Sequence, residues 1–252
     1  MTQPTTPGSG AELDAPTTAE PKKPEKASLL DDFMDIFYAP SAVFARRANS
    51  NFWIPLLIVS VLLGVIFFAN RDLIDPIMEA EFARSMAKSS QQLTADQMEA
   101  ARKFAGTIGT IFAFVGPPIA MLMLGVLIWI VGKFFDAKQS VNAAVVVAVF
   151  SYVPRVVEGV VNRVEGLLID TSNLNSRYSL TLGLGRFFDP DTTSPILLGL
   201  IGRIDVFTIW VTVLIAIGLA VTGKISRGNA AIAAAIVWLV GALPTLAGAM
   251  RQ

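Results

Sequence analysis

The chain of 252 residues contains no cysteine and no histidine. Without cysteine there is no disulfide, no thiolate nucleophile and no cysteine-built zinc site, and redox chemistry gives no clue to compartment. Without histidine the commonest general base and metal ligand is missing. Both absences point away from an enzyme, so no catalytic residue, cofactor or metal is expected. Charge is scarce as well. Asp, Glu, Lys and Arg make up 16% of the residues, against about a quarter in a soluble domain. The 20 basic residues balance the 20 acidic ones, which leaves no basic face for a nucleic acid. No internal repeat relates the apolar segments, which weighs against an inverted-repeat transporter.

What the chain has in abundance is uncharged apolar sequence. Hydrophobic residues make up 53% and the mean hydropathy is +0.58. Runs long enough to cross a hydrocarbon core of about 30 Å recur along it. The pattern predicts an all-α polytopic membrane protein, a bundle of five transmembrane helices at about residues 52–69, 107–132, 141–161, 206–222 and 229–249, with amphipathic interfacial helices. Residues 1–27, rich in Pro, Thr, Glu and Lys, bury too little apolar surface to offset chain entropy and read as a disordered cytoplasmic tail. The tail lacks the apolar core of a signal peptide, so targeting falls to the first span. Residues 28–252 form the membrane domain.

The third apolar segment organises the rest. After an almost pure aliphatic start it carries Tyr152, Pro154, Arg155 and Glu158 near one end. Arg155 and Glu158, spaced i, i+3, can pair on one helix face. A charge at the bilayer centre costs about 2.5–3.5 kcal/mol on insertion scales, but a residue near a helix end can reach the interface. Three readings stand: a paired charge that sets helix depth, an ion or substrate contact, and a partner-docking site. Asp205 heads the fourth span as a helix cap. Pro117 and Pro118, after Gly116, should interrupt and kink the second span, either as a structural feature or as a broken helix lining a substrate path.

Elsewhere the expectations are local. Ser28 caps a helix running to Tyr38, with Leu29, Leu30, Phe33, Met34 and Phe37 on one face and Asp31, Asp32 and Asp35 on the other. An acidic face is repelled by anionic headgroups, so this helix should dock on the protein's own spans, and the three aspartates are candidate partner-docking residues. Pro40 should end it. In residues 70–106, Thr94 to Gln97 form a capping box whose helix should run unbroken into the second span. In residues 162–203, Gly183-Leu184-Gly185 reads as a flexible turn, and Thr193, Ser194 and Pro195 open a short apolar helix. The fifth span is rich in small residues, suiting the bundle interior or an interface with another copy. Pro244 should kink it. Arg46, Arg47, Lys133, Lys138, Lys224 and Arg227 cluster in the tail and the two short turns, placing the N-terminus in the cytoplasm and the C-terminus opposite.

These residues resemble a known family. Asp35-Ile36-Phe37-Tyr38-Ala39-Pro40 with Phe44 is similar to the approach to the first span in the Yip family, named for Ypt/Rab-GTPase-interacting membrane proteins. Phe150-Ser151-Tyr152-Val153-Pro154 resembles its third-span signature, and Ile204 to Trp210 through Gly218 its fourth-span pattern. The resemblance covers about residues 33–249 and is closest to the bacterial branch. It implies five spans in a bacterial inner (cytoplasmic) membrane and no catalytic residues. Ala39 stands where eukaryotic members carry Gly, so binding of Rab-type GTPases is not carried over. The role implied is a non-enzymatic scaffold or accessory subunit of a membrane complex. The implied partners are the bilayer and other integral membrane proteins, such as an ABC-type exporter, with homo-oligomerisation open. The alternative is a small-solute transporter or channel.

Overall fold

The segment of residues 141–151, VNAAVVVAVFS, is apolar all round, and such a helix is stable only when surrounded. In the structure, a computed structural model describing residues 27–88, 94–170 and 174–249, it is the central helix α6 (Val141–Ser151). Every residue from Ala143 to Ser151 is buried. The expected disordered tail lies, apart from Ala27, outside the described residues. Around α6 stand α3 (Trp53–Ala69), α5 (Ala95–Lys133) and α9 (Val206–Gly223), and α10 (Arg227–Val240), continued by α11 (Leu243–Ala249), packs on α9 and α5. Glycines set the closest approaches. A Cβ on Gly125 of α5 would lie 2.7 Å from the Val145 backbone, and one on Gly218 of α9 would lie 2.4 Å from a Val147 methyl. Small residues let backbones meet this closely, which matters where lipid gives no hydrophobic drive for association.

Tyr152 joins α6 to α7 (Val153–Gly166), and Pro154 sits in the first turn of α7, where its missing N–H would have no helical partner. Residues Val141–Gly166 therefore serve as one span. Among the described residues four helices are long and apolar enough to cross a membrane, and five spans result if α3 and α4 (Arg71–Lys88), which meet at a 78° bend, count together as one. Among the described residues there is no named strand, only an isolated bridge between Gly183 and Asp205. The fold is an all-α polytopic membrane bundle.

Several local expectations are corrected. The first helix ends at Tyr38, ahead of Pro40 as expected, but Pro40 also opens a second helix, α2 (Pro40–Arg47), a position suited to its fixed φ. Helices α1 (Leu29–Tyr38) and α2 form a hairpin that dips among the spans. Phe33 meets the Phe150 ring at 5.6 Å and Phe37 meets Trp210 at 5.2 Å. Trp210 lies about 20 Å from the Gly223 end of α9, at about 1.5 Å per residue. Docking on the protein's own spans is as expected, but the faces are not. Asp32 turns inward with Ile36, while Leu30, Met34 and Tyr38 are exposed. The inward aspartate is tolerated because Arg46 and Arg47 at the end of α2 both bind it, and Arg46 also binds Asp35.

Helix α5 starts at the Thr94–Gln97 capping box and runs 39 residues without a break. Pro117 and Pro118 thus do not interrupt it. At about 1.5 Å per residue it is nearly 60 Å long, about twice a hydrocarbon core, so its first part projects beyond the membrane. Gly183 and Gly185 are not a flexible turn. A Cβ on Gly183 would sit 2.6 Å from that of Asp205, and one on Gly185 would sit 2.8 Å from the Tyr178 ring and 3.0 Å from Gly202. Close packing, not mobility, calls for glycine there. The fifth span breaks at Gly241 and Ala242, ahead of Pro244.

The two long connections fold against each other as a cap on the face opposite the hairpin base. Leu73 and Ile77 of α4 share a small core with Leu174 and Leu180. Ion pairs stitch its rim: Arg163 to Asp72 at 2.6 Å, Arg84 to Asp191 at 2.7 Å, and Arg177 to Glu81. The short apolar helix α8 (Pro195–Ile201), capped by Ser194, packs on α11. Burial raises the Glu81 carboxyl, but the Arg177 guanidinium outweighs it and Glu81 titrates below its ordinary 4.5; Arg163 lowers Asp72 likewise. A carboxylate lowered on folding contributes stability that is present above its unfolded value and is lost as pH falls through the folded one. The protection of α4 amides, with the pH dependence of intrinsic exchange divided out, should therefore stay constant from pH 8 to 5 and fall only below about 4.5. A loss of protection already between pH 7 and 6 would contradict this account of the cap.

Candidate functional site

The site forms where α9 begins. Asp205 is held by the Gly183 bridge with extended backbone, the geometry an N-cap needs. Its carboxylate accepts the amides of Phe207 and Thr208, each at 2.9 Å, and the Thr208 hydroxyl. A hydroxyl that donates can also accept. The Thr208 oxygen takes Nη2 of Arg155 at 2.7 Å, while Nη1 of Arg155 donates to Glu158 at 2.6 Å and lies 3.9 Å from Asp205. The i, i+3 pair read from the sequence thus exists, and the cap expected of Asp205 exists. The structure joins the two in one network of one cation and two carboxylates, tying α7 to α9.

A second arginine faces the same region. Proline at 244 has no amide for the carbonyl four residues back, and the helix tightens: the Ala242 amide bonds Leu239, leaving the Trp238 carbonyl without its usual helical donor. Arg203 fills the gap, donating to the carbonyls of Trp238 at 2.9 Å and Gly241 at 3.1 Å and stacking 5.3 Å from the Trp238 ring. A cation at a helix C-terminus also complements its dipole. Nε of Arg203 is buried without a hydrogen-bond partner.

Between α5, α9 and the α10–α11 break lies a cavity of about 730 Å³. Tyr152, Arg155, Arg203 and Thr208 line its polar end, and Leu124 and Ile215 are among its apolar walls. Arg203, Thr208 and Trp238 are candidate-site positions that sequence reasoning missed. The available signal was an arginine two residues ahead of a capping aspartate, with a Gly–Pro break in the following span that leaves carbonyls open.

The other singled-out residues lie elsewhere. Pro154 is buried at the α6–α7 junction, and Pro117 and Pro118 sit half-buried on α5 outside the cavity lining. Asp31 is exposed and closes the Ser28 capping box at 2.8 Å. Asp32 is 0% exposed and bound by Arg46 and Arg47, so a docking role among these aspartates is left to Asp31 and Asp35. No group of three acidic residues suited to a metal ion occurs among the described residues.

A helical membrane bundle with this junction at its third and fourth spans defines a polytopic integral membrane protein. The chain belongs to the Yip1 family, whose domain model matches residues 34–248. It is similar to the membrane protein YknW of Bacillus subtilis (strain 168), 27% identical over 224 residues, which cover 85% of this chain and 86% of that protein. No solved structure matches.

Replacing Arg203 with Met keeps its length and removes its donors. Amide exchange in α11 should then accelerate about tenfold, the loss of one to two charge-assisted hydrogen bonds. Unchanged exchange would show that the break does not depend on Arg203.

Proposed function

We propose that the protein is a non-enzymatic scaffold or accessory subunit of a membrane complex in the cytoplasmic membrane of a bacterium, with its N-terminus inside and its cap on the outer face. The observation that carries the reading is the cap itself. The chain folds both long connections into one unit stitched by ion pairs at one end of the bundle. That unit presents large apolar side chains outward: Leu168 is 83% and Phe187 78% exposed. The Arg186–Glu165 ion pair holds their two segments together. Exposed apolar patches of this kind mark protein contact surfaces, and a second integral membrane protein, such as an exporter, is the partner class. Basic residues near the span ends support the orientation. Arg46, Arg47, Lys133, Lys138, Lys224 and Arg227 lie near span ends on one face.

The transporter alternative is weaker because its proposed charged pair is engaged: Arg155 is shared by Glu158, Thr208 and Asp205.

The absence of native cysteine makes single introduced thiols unambiguous. Spheroplasts carrying Phe187→Cys or Arg227→Cys are treated with a membrane-impermeant thiol-reactive crosslinker. Phe187→Cys should react from outside and give one discrete adduct with an integral membrane protein, weakened by adding Leu168→Ser. Arg227→Cys should react only after the membrane is opened. External reactivity of Arg227→Cys would overturn the orientation, and no discrete adduct, or one indifferent to Leu168→Ser, would overturn the partner reading.

A further inference from the structure

The cavity beside the arginine pair has a shape and depth that the scaffold reading does not use. Arg155, Thr208 and the Gly241 carbonyl each lie fourteen or fifteen residues from the far end of their spans, about 21–22 Å at about 1.5 Å per residue. The polar end therefore sits at one level, about two-thirds of the way across a hydrocarbon core of about 30 Å and on its cap side. From that level the apolar walls run inward along α9 from Val211 to Ile215 and along α5 through Leu124. Ile215 lies about 10 Å deeper along α9 than Thr208. The cavity thus runs about 10 Å inward from its cations.

The lining chemistry is one-sided. Arg155, Arg203, Tyr152, Thr208 and Thr212 line the cavity, and no acidic side chain does. Arg203 retains a buried Nε–H with no acceptor. Burial and the neighbouring Arg155 both hold its guanidinium below the ordinary arginine range, a strain that an anion between the two would relieve. Guanidinium groups bind phosphate through paired N–H donors, and basic pockets between membrane helices suit anionic headgroups. A volume of about 730 Å³ falls within the range of dedicated ligand sites. A free anion would need the arginines and not the apolar shaft.

We infer that this cavity binds one anionic phospholipid of the cap-side leaflet, its phosphate at the unpartnered Nε–H of Arg203 with Arg155 as the neighbouring cation, and an acyl chain along α5 and α9. The site is formed within one chain, so it stands or falls independently of any protein partner.

The full-length protein, purified in mild detergent, is titrated with dioleoyl phosphatidylglycerol, dioleoyl phosphatidylcholine or inorganic phosphate and examined by native mass spectrometry. One phosphatidylglycerol per chain should be retained under activation that strips phosphatidylcholine. Arg203→Gln should lower its occupancy about tenfold, the loss of one charge-assisted contact. Leu124→Trp, which fills the shaft and keeps both arginines, should lower lipid occupancy as well and guards against a folding defect at Arg203. Equal retention of the two lipids would overturn the inference, as would lipid occupancy unchanged in Leu124→Trp. Inorganic phosphate that binds and displaces the lipid equally in parent and Leu124→Trp would assign the site to a free anion instead.

Discussion

An ionised group in a membrane bundle must find a counter-charge or a hydrogen-bond partner within the protein, and two clusters here meet that constraint in the same way. At one face Asp32, fully buried, is bound by Arg46 and Arg47, which also draws in Asp35 through Arg46. Toward the other face Arg155 is held by Glu158 and Thr208, with Asp205 behind the hydroxyl. Each cluster fastens one helix to another. The first closes the α1–α2 hairpin on itself; the second ties the end of the central span to the start of the fourth. Removing one partner from such a cluster strands a charge, so each is a fastening that fails as a unit.

Between the two clusters the bundle is organised by α6. Its aliphatic surface is buried on all sides, and the glycines of α5 and α9 bring neighbouring backbones against it at Val145 and Val147. The remaining spans need only one inward face. On α10 that face is Ala230, Ala233, Ala234 and Val237, while Ile232, Ile236 and Leu239 look outward. The small-residue face read from the sequence is therefore accounted for within this chain.

Much of this was legible in residue order because it rests on local rules. The spans follow from uncharged runs, the start of α5 from Thr94 and Gln97, the cap at Asp205 from its position before an apolar segment, and the Arg155–Glu158 pair from helical spacing. What was not legible depends on partners far away in the chain. Asp32 looked like part of a polar outer face because nothing local shows that Arg46 and Arg47 return to it. Gly183 and Gly185 looked mobile because their need for close approach comes from Asp205, Tyr178 and Gly202. Arg203 passed as a loop residue because its acceptors are carbonyls freed by a break some 35 residues later. Prolines were only half legible: α1 stops before Pro40 as expected but Pro40 also opens α2, and α5 continues through Pro117 and Pro118.

The central claim is that buried charges here are held as units. The most direct test compares unfolding free energies in micelles for Arg155→Met, Glu158→Met and the double replacement. Each single change should cost about 3–5 kcal/mol, because it leaves a buried charge without its partner, and the double should recover most of that cost. Single replacements within about 0.5 kcal/mol of the parent, or a double as costly as the two singles together, would contradict the account.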